Sequence, residues 1–158
     1  MTLAVGDKAP NFTLVNSADM QPVSLSDYQG KNVVLVFFPA AFSGVCTEEL
    51  CSFRDAMSSF DSLGAPVIGI STDPPLAQKA FAAQNGVKFP VLSDLHQEVI
   101  KAYGLEFHNF AKVQGYTAAR RSVFVLDESG TVRWSWLSEV PTNLPNYSDV
   151  QAAVKALS

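Results

Sequence analysis

Two cysteines, Cys46 and Cys51, sit in one stretch of this chain, residues 33–60, in a setting that favours thiol chemistry. Residues 33–38 are consecutively apolar and rich in β-branched side chains, the pattern of a short strand covered on both faces, and Pro39 stops it. After a loop over 40–44, apolar residues recur at Cys46, Leu50, Phe53, Met57 and Phe60, the spacing of one helix face. Cys46 therefore opens a helix and faces the core. With Ser43 as N-cap, Cys46 is the third helical residue, where unpaired N–H groups and the positive end of the macrodipole favour an anion. The thiolate is the nucleophilic form of cysteine, so this position favours reactivity. Glu48 and Glu49, one turn away, oppose it, and a cation from elsewhere in the chain must offset them.

The rest of the chain has to build the pocket. Its 158 residues, 47% of them hydrophobic, suit one domain over 1–158 with a sizeable core. The net charge of -4 comes with scattered basic residues and no basic stripe, which argues against nucleic acid and an anionic membrane as partners. The opening "MTLAVGDKAPNF" does not read as a leader, and no window approaches the ~18 apolar residues of a membrane span. A cytoplasmic protein is expected. In a reducing compartment a cysteine pair points to chemistry or metal rather than a structural staple. His96 and His108 lie on distant segments without ligand spacing, so no metal and no cofactor are expected.

Residues 12–15 and 22–25 flank the turn-like "NSADMQ" and read as a peripheral hairpin. Gly64 ends the cysteine helix, and 65–71 form a second buried strand. Asp73, Pro74 and Pro75 open a helix that runs to about Asn85 and Gly86. "FPVLSD" reads as a short strand, and Asp94 as the cap of a helix containing Val99, Ile100 and Tyr103. Between 105 and 120 periodicity fails. "SVFVLD" and "TVRWSWL", joined by "ESG", form a hairpin, with Val132, Trp134 and Trp136 expected on one covered face. A stretch rich in Pro and Asn, 141–146, leads to a last helix striped by Val150, Val154 and Leu157. The alternation of strands and helices implies an α/β protein with a largely parallel central sheet and an antiparallel pair at its end.

These residues resemble the peroxiredoxins, over nearly the whole chain. "PAAFSGVC", residues 39–46, is similar to their P-x-x-x-[ST]-x-x-C signature, and "RSVFVLDESG" to their R-x-x-F-[VIL]-[IVL]-D-x-x-G block, which falls on Arg121. "GDKAPNFTL" and "FPVLSD" also resemble family segments. "FFPAAFSGVC" with "EEL" is closest to the one-cysteine subclass that includes alkyl hydroperoxide reductase E, and the Cys46 to Cys51 spacing is similar to the bacterioferritin comigratory protein subclass. The resemblance implies a thioredoxin-like fold, a central mixed sheet flanked by helices with an N-terminal hairpin, and a thiol-dependent peroxidase for hydrogen peroxide and organic hydroperoxides. It implies that Cys46 is the nucleophile that becomes a sulfenic acid, Ser43 positions the peroxide, Arg121 holds the thiolate, Pro39 shields the sulfur and Glu49 orients the arginine. Ser43 stands where most members carry Thr.

Cys51 has two readings. It resolves the Cys46 sulfenic acid as an intramolecular disulfide, or it is a spectator in a one-cysteine enzyme reduced by an outside thiol. Five residues along a helix is a rotation of roughly 140° and a rise of ~7.5 Å. A disulfide needs Cα atoms within ~7 Å, so the first reading requires the helix to unwind. The resemblance further implies a thioredoxin- or glutaredoxin-type thiol reductant, with a homodimer contact through 107–116 and 40–42 left open. A thiol-disulfide oxidoreductase would carry two residues between its cysteines, and here there are four. A peroxide-sensing binding protein would react stoichiometrically rather than turn over.

Overall fold

In the computed structural model, which describes residues 2–157, the first hairpin forms as β1 (Thr13–Asn16) and β2 (Pro22–Ser24), with Leu14 opposite Val23. The apolar run becomes β3 (Val33–Phe37), buried at every residue. The cysteine helix follows as α1 (Gly44–Asp55) and α2 (Met57–Ser62). The sequence predicts one helix ended by Gly64. The chain instead breaks at Ala56 (φ -90°, ψ 1°), with neither proline nor glycine to mark the place. The apolar stripe survives the break, since Phe53 and Phe60 are both buried and stack at 5.9 Å. Gly64, at φ +68°, closes α2 in the left-handed conformation that glycine tolerates.

Next come β4 (Val67–Ser71), α3 (Pro75–Asn85), β5 (Val91–Ser93) and α4 (Glu98–Ala102). Asp94 is not the N-cap of α4, a position held by Gln97. Its carboxylate nevertheless accepts the Val99 and Ile100 N–H groups at 3.2 and 2.9 Å. The aperiodic stretch holds two short strands, β6 (Glu106–Phe107) and β7 (Ala118–Ala119), which pair with each other. The chain closes with β8 (Ser122–Leu126), β9 (Val132–Leu137) and α5 (Tyr147–Lys155), the last capped by Asn146.

The main sheet has seven strands in the order β2-β1-β5-β4-β3-β8-β9. Only the β3–β4 and β4–β5 pairings are parallel, so the sheet is mixed rather than largely parallel. The hairpin expected at the periphery joins it through an antiparallel β1–β5 pairing. The two faces carry separate apolar clusters. Leu35, Phe37, Ile68, Ile70, Phe124 and Tyr103 fill one, beside α4. Val34, Val36, Phe38 and Val123 fill the other, with Cys46, Leu50, Phe53, Phe60, Phe81 and Val150 from the helices.

The expectation that Val132, Trp134 and Trp136 share a face fails. The β8–β9 register shifts between Val125, opposite Trp134, and Leu126, opposite Val132. The bulge turns Val132 to the cluster of Leu35, while Trp134 and Trp136 stay with the cluster of Cys46.

Candidate active site

β3 ends at the middle of the sheet, and the chain leaves it through buried Phe38 and Pro39. The loop 40–43 then reverses direction. Phe42 takes φ +67°, a left-handed conformation that side chains with a Cβ avoid, and its ring lies edge-on to Phe81 at 5.3 Å. Ser43 caps α1 as expected. Its Oγ accepts the Cys46 N–H at 3.3 Å and donates to the Ala40 carbonyl at 3.0 Å. This cap makes Cys46 the third residue of α1, and its side chain is fully buried.

The cation that the glutamates required arrives by sheet topology. β8 runs antiparallel to β3 with Ser122 opposite Phe37, so Arg121, one residue earlier, emerges at the end of β3 beside the start of α1. Its Nη2 donates to Cys46 Sγ at 3.1 Å and its Nη1 to Glu49 Oε1 at 2.7 Å. Nε and Nη2 also reach the Pro141 carbonyl, at 3.2 and 3.1 Å. Glu49 follows Cys46 by three residues, one helical turn, which puts both on the same face. Glu48 is exposed, so only Glu49 faces Cys46 from inside. The neighbouring Arg120 is turned elsewhere, with Nε on the Ser138 carbonyl at 2.6 Å.

The ion pair is buried on both sides, with side chains 1% and 0% exposed. Burial pushes the Glu49 carboxyl up to about 7, against the opposing pull of Arg121. Burial also works against the arginine charge, but Glu49 and Cys46 on either side outweigh it and hold Arg121 above its ordinary range. A guanidinium does not give up its proton in a protein, so the carboxyl is the member of the pair that titrates. Glu49 Oε2 is buried and has no hydrogen-bond partner among the described residues.

Cys51 does not join this constellation. It is half-buried, one and a half turns further along α1, with Sγ 3.8 Å from Asn85 Oδ1 at the end of α3, and both cysteines are free thiols. Two contributions were missed from the sequence. A backbone carbonyl such as that of Pro141 leaves no signature in residue type. Asp73 was legible only as the start of α3, yet its carboxylate accepts the Ala41 N–H at 2.7 Å.

The pattern of the AhpC/TSA family matches residues 5–135. The chain belongs to the AhpC/TSA family. It is 41% identical over 140 residues to alkyl hydroperoxide reductase E of Mycobacterium tuberculosis, covering 87% of each chain. It is 40% identical over 129 residues to the chloroplastic peroxiredoxin Q of Triticum aestivum, covering 82% of this chain and 57% of that one. The crystal structure of peroxidoxin BcpB from Mycobacterium tuberculosis superposes with a TM-score of 0.87 at 30% identity over 99% of both chains. As an AhpC/TSA protein this chain is a thiol-dependent peroxidase with a thioredoxin-like fold, acting on a peroxide with a thiol reductant. No helix among the described residues is long and apolar enough to cross a membrane.

Proposed function

We propose that Cys46 is the residue that reduces the peroxide, in a single domain over 1–158, and that Ser43, Arg121 and Pro39 form its pocket. The observation that carries this reading is the 3.1 Å contact between Arg121 Nη2 and Cys46 Sγ, made by a guanidinium that also holds Glu49. A sulfur lone pair attacks one oxygen of the peroxide. The S–O bond forms as the O–O bond breaks, and the bonding pair leaves with the other oxygen, which becomes an alcohol or water once protonated. Sulfur loses two electrons and Cys46 becomes a sulfenic acid. Negative charge moves from sulfur to the leaving oxygen, and Arg121, fixed before substrate arrives, faces it with no reorganisation. Glu49 orients the arginine. The Ser43 hydroxyl, which accepts the Cys46 N–H, holds the peroxide, and buried Pro39 closes the pocket over the sulfur.

In the second half of the cycle the Cys51 thiol attacks the sulfenic acid, water leaves, and a thioredoxin- or glutaredoxin-type donor reduces the disulfide. The reading places the enzyme in the cytoplasm. Its exposed Phe42 and the 107–116 segment give a second copy a surface on which to dock. A one-cysteine cycle is favoured instead by the placement of Cys51 against Asn85, away from Cys46.

One experiment tests both halves. Wild type, Cys46→Ser and Cys51→Ser are mixed with hydrogen peroxide, then supplied with thioredoxin and its reductase. Cys46→Ser should consume no peroxide. Cys51→Ser should complete the first oxidation at the wild-type rate and lose thioredoxin-supported turnover. A wild type unreactive toward peroxide ends the reading, and a free Cys51 beside a persistent Cys46 sulfenic acid in treated wild type removes the disulfide.

A further inference from the structure

The loop that delivers Ser43 is tied down by a residue outside the pocket. Asp73 Oδ2 accepts the Ala41 N–H and the Ser71 hydroxyl, each at 2.7 Å. Ser71 is gripped in turn by Nε2 of Gln78, a fully buried side chain on α3, at 2.8 Å. The Asp73 carbonyl accepts the Ser93 hydroxyl from β5 at 2.7 Å. Ser71 of β4, braced by Gln78 of α3, thus fixes the carboxylate, Ser93 of β5 fixes the backbone behind it, and the ordinary use of such a carboxylate is absent. An aspartate before a helix usually caps it, but α3 has Pro74 at the N-cap and no side-chain cap. The charge of Asp73 also opposes a thiolate, so electrostatic support of Cys46 is not its role.

We propose that Asp73 is a positioning residue for peroxide reduction, acting through the Ala40–Ala41 peptide on the Ser43 hydroxyl. The N–H it holds and the carbonyl that Ser43 Oγ donates to, at 3.0 Å, belong to the same peptide group. That group is planar and trans, so its N–H and C=O point in opposite directions, and fixing one fixes the other. With the carbonyl fixed, the Ser43 proton is committed to it. One lone pair of Oγ takes the Cys46 N–H, and the other is left to accept the O–H of an incoming peroxide. Without the carboxylate, the strain stored at Phe42, φ +67°, favours relaxation of the loop, and the hydroxyl loses its fixed orientation.

The inference rests on the peroxidase reading, and its test separates the two. Asp73→Ala, Ser43→Ala and the double variant are compared by the second-order rate of Cys46 oxidation by hydrogen peroxide. The rate of alkylation by iodoacetamide, which needs the thiolate but no hydroxyl, is measured alongside. Asp73→Ala should slow the peroxide reaction by about tenfold, the scale of one lost hydrogen bond to a charged group. Alkylation should stay within about twofold, and in the Ser43→Ala background the Asp73→Ala change should add less than about twofold. Asp73→Asn, which keeps an acceptor oxygen for Ala41 and guards against a misfolded alanine variant, should sit about threefold below wild type, again with no further loss in the Ser43→Ala background. Losses that multiply in the double variants, or alkylation that falls together with peroxide reduction, overturn the inference. An unreactive wild type overturns the peroxidase reading itself.

Discussion

Replacing Arg121 with Met separates what the guanidinium does for the fold from what it does for the reaction. The substitution removes the donors to Cys46 Sγ and Glu49 Oε1 and leaves a fully buried carboxyl without a cation. Breaking one side of a buried pair costs about 3–5 kcal/mol. Glu49 already holds its proton to about 7, against 4.5 in water, with Arg121 attached. Without Arg121 it stays neutral at pH 7, and forcing a carboxyl to be neutral 2.5 units above its ordinary value costs about 3 kcal/mol. Glu49→Gln removes that ionisation cost, so the double variant Arg121→Met/Glu49→Gln should regain about 3 kcal/mol over Arg121→Met in urea unfolding at pH 7. The rate of Cys46 oxidation should not follow. Loss of one preorganised donor to developing charge costs about 10²–10³-fold, and glutamine supplies nothing in its place. Stability restored with the rate still down is the expected result. A rate that recovers along with stability would mean that Arg121 acts through folding alone and would refute the reasoning.

The same carboxyl gives stability a pH dependence of definite sign. Folded Glu49 holds its proton to about 7 and the unfolded residue releases it near 4.5, so in that window the folded state binds more protons. The stability present below pH 4.5 is therefore lost progressively as pH rises to about 7, and Glu49→Gln should flatten this part of the urea-midpoint profile; an unchanged slope in that variant would exclude Glu49 as its source. Ser43→Ala removes the cap of α1 together with the proposed peroxide contact. It should lower stability by about 1 kcal/mol and slow Cys46 oxidation, whereas Ser43→Thr, which keeps the hydroxyl, should restore both. Equal rates for serine and alanine would leave Ser43 as a cap only.

The legible part of the fold came from patterns that one segment carries by itself. The apolar run of β3, the four-three spacing of α1 and the Pro74–Pro75 helix start are local, and each stands within a few residues of its expected place. Among the strands, what failed depends on a partner. The face of Val132 is set by its pairing with Leu126, and a one-residue slip in β9 turns it over without any mark in its own alternation. β6 and β7 have two residues each, too short to alternate. In the site, Cys46 and Ser43 were readable from the helix start, and the need for a cation from Glu49. The choice of Arg121 over Arg120 came from family resemblance, and its physical ground is the register that puts Ser122 opposite Phe37.

That geometry also says which end of α1 must move if Cys51 is to meet Cys46. From Leu50 onward the helix is anchored: Leu50 and Phe53 are fully buried, and Arg54 Nη1 binds the Asn85 carbonyl at 2.6 Å, beside Cys51. The first turn is held differently, by the Ser43 cap, by the grip of Asp73 on Ala41 and by the contact of Arg121 with sulfur. In the proposed cycle oxidation weakens the last of these, because a neutral sulfenic acid replaces the thiolate that attacks the peroxide. On that cycle peroxide loosens the end of the helix that carries Cys46 and leaves the end that carries Cys51 in place. The strain at Phe42 adds to the tendency of that end to unwind. On the proposed two-cysteine cycle, the turn that fixes Ser43 for the first step is the turn that has to open for the second.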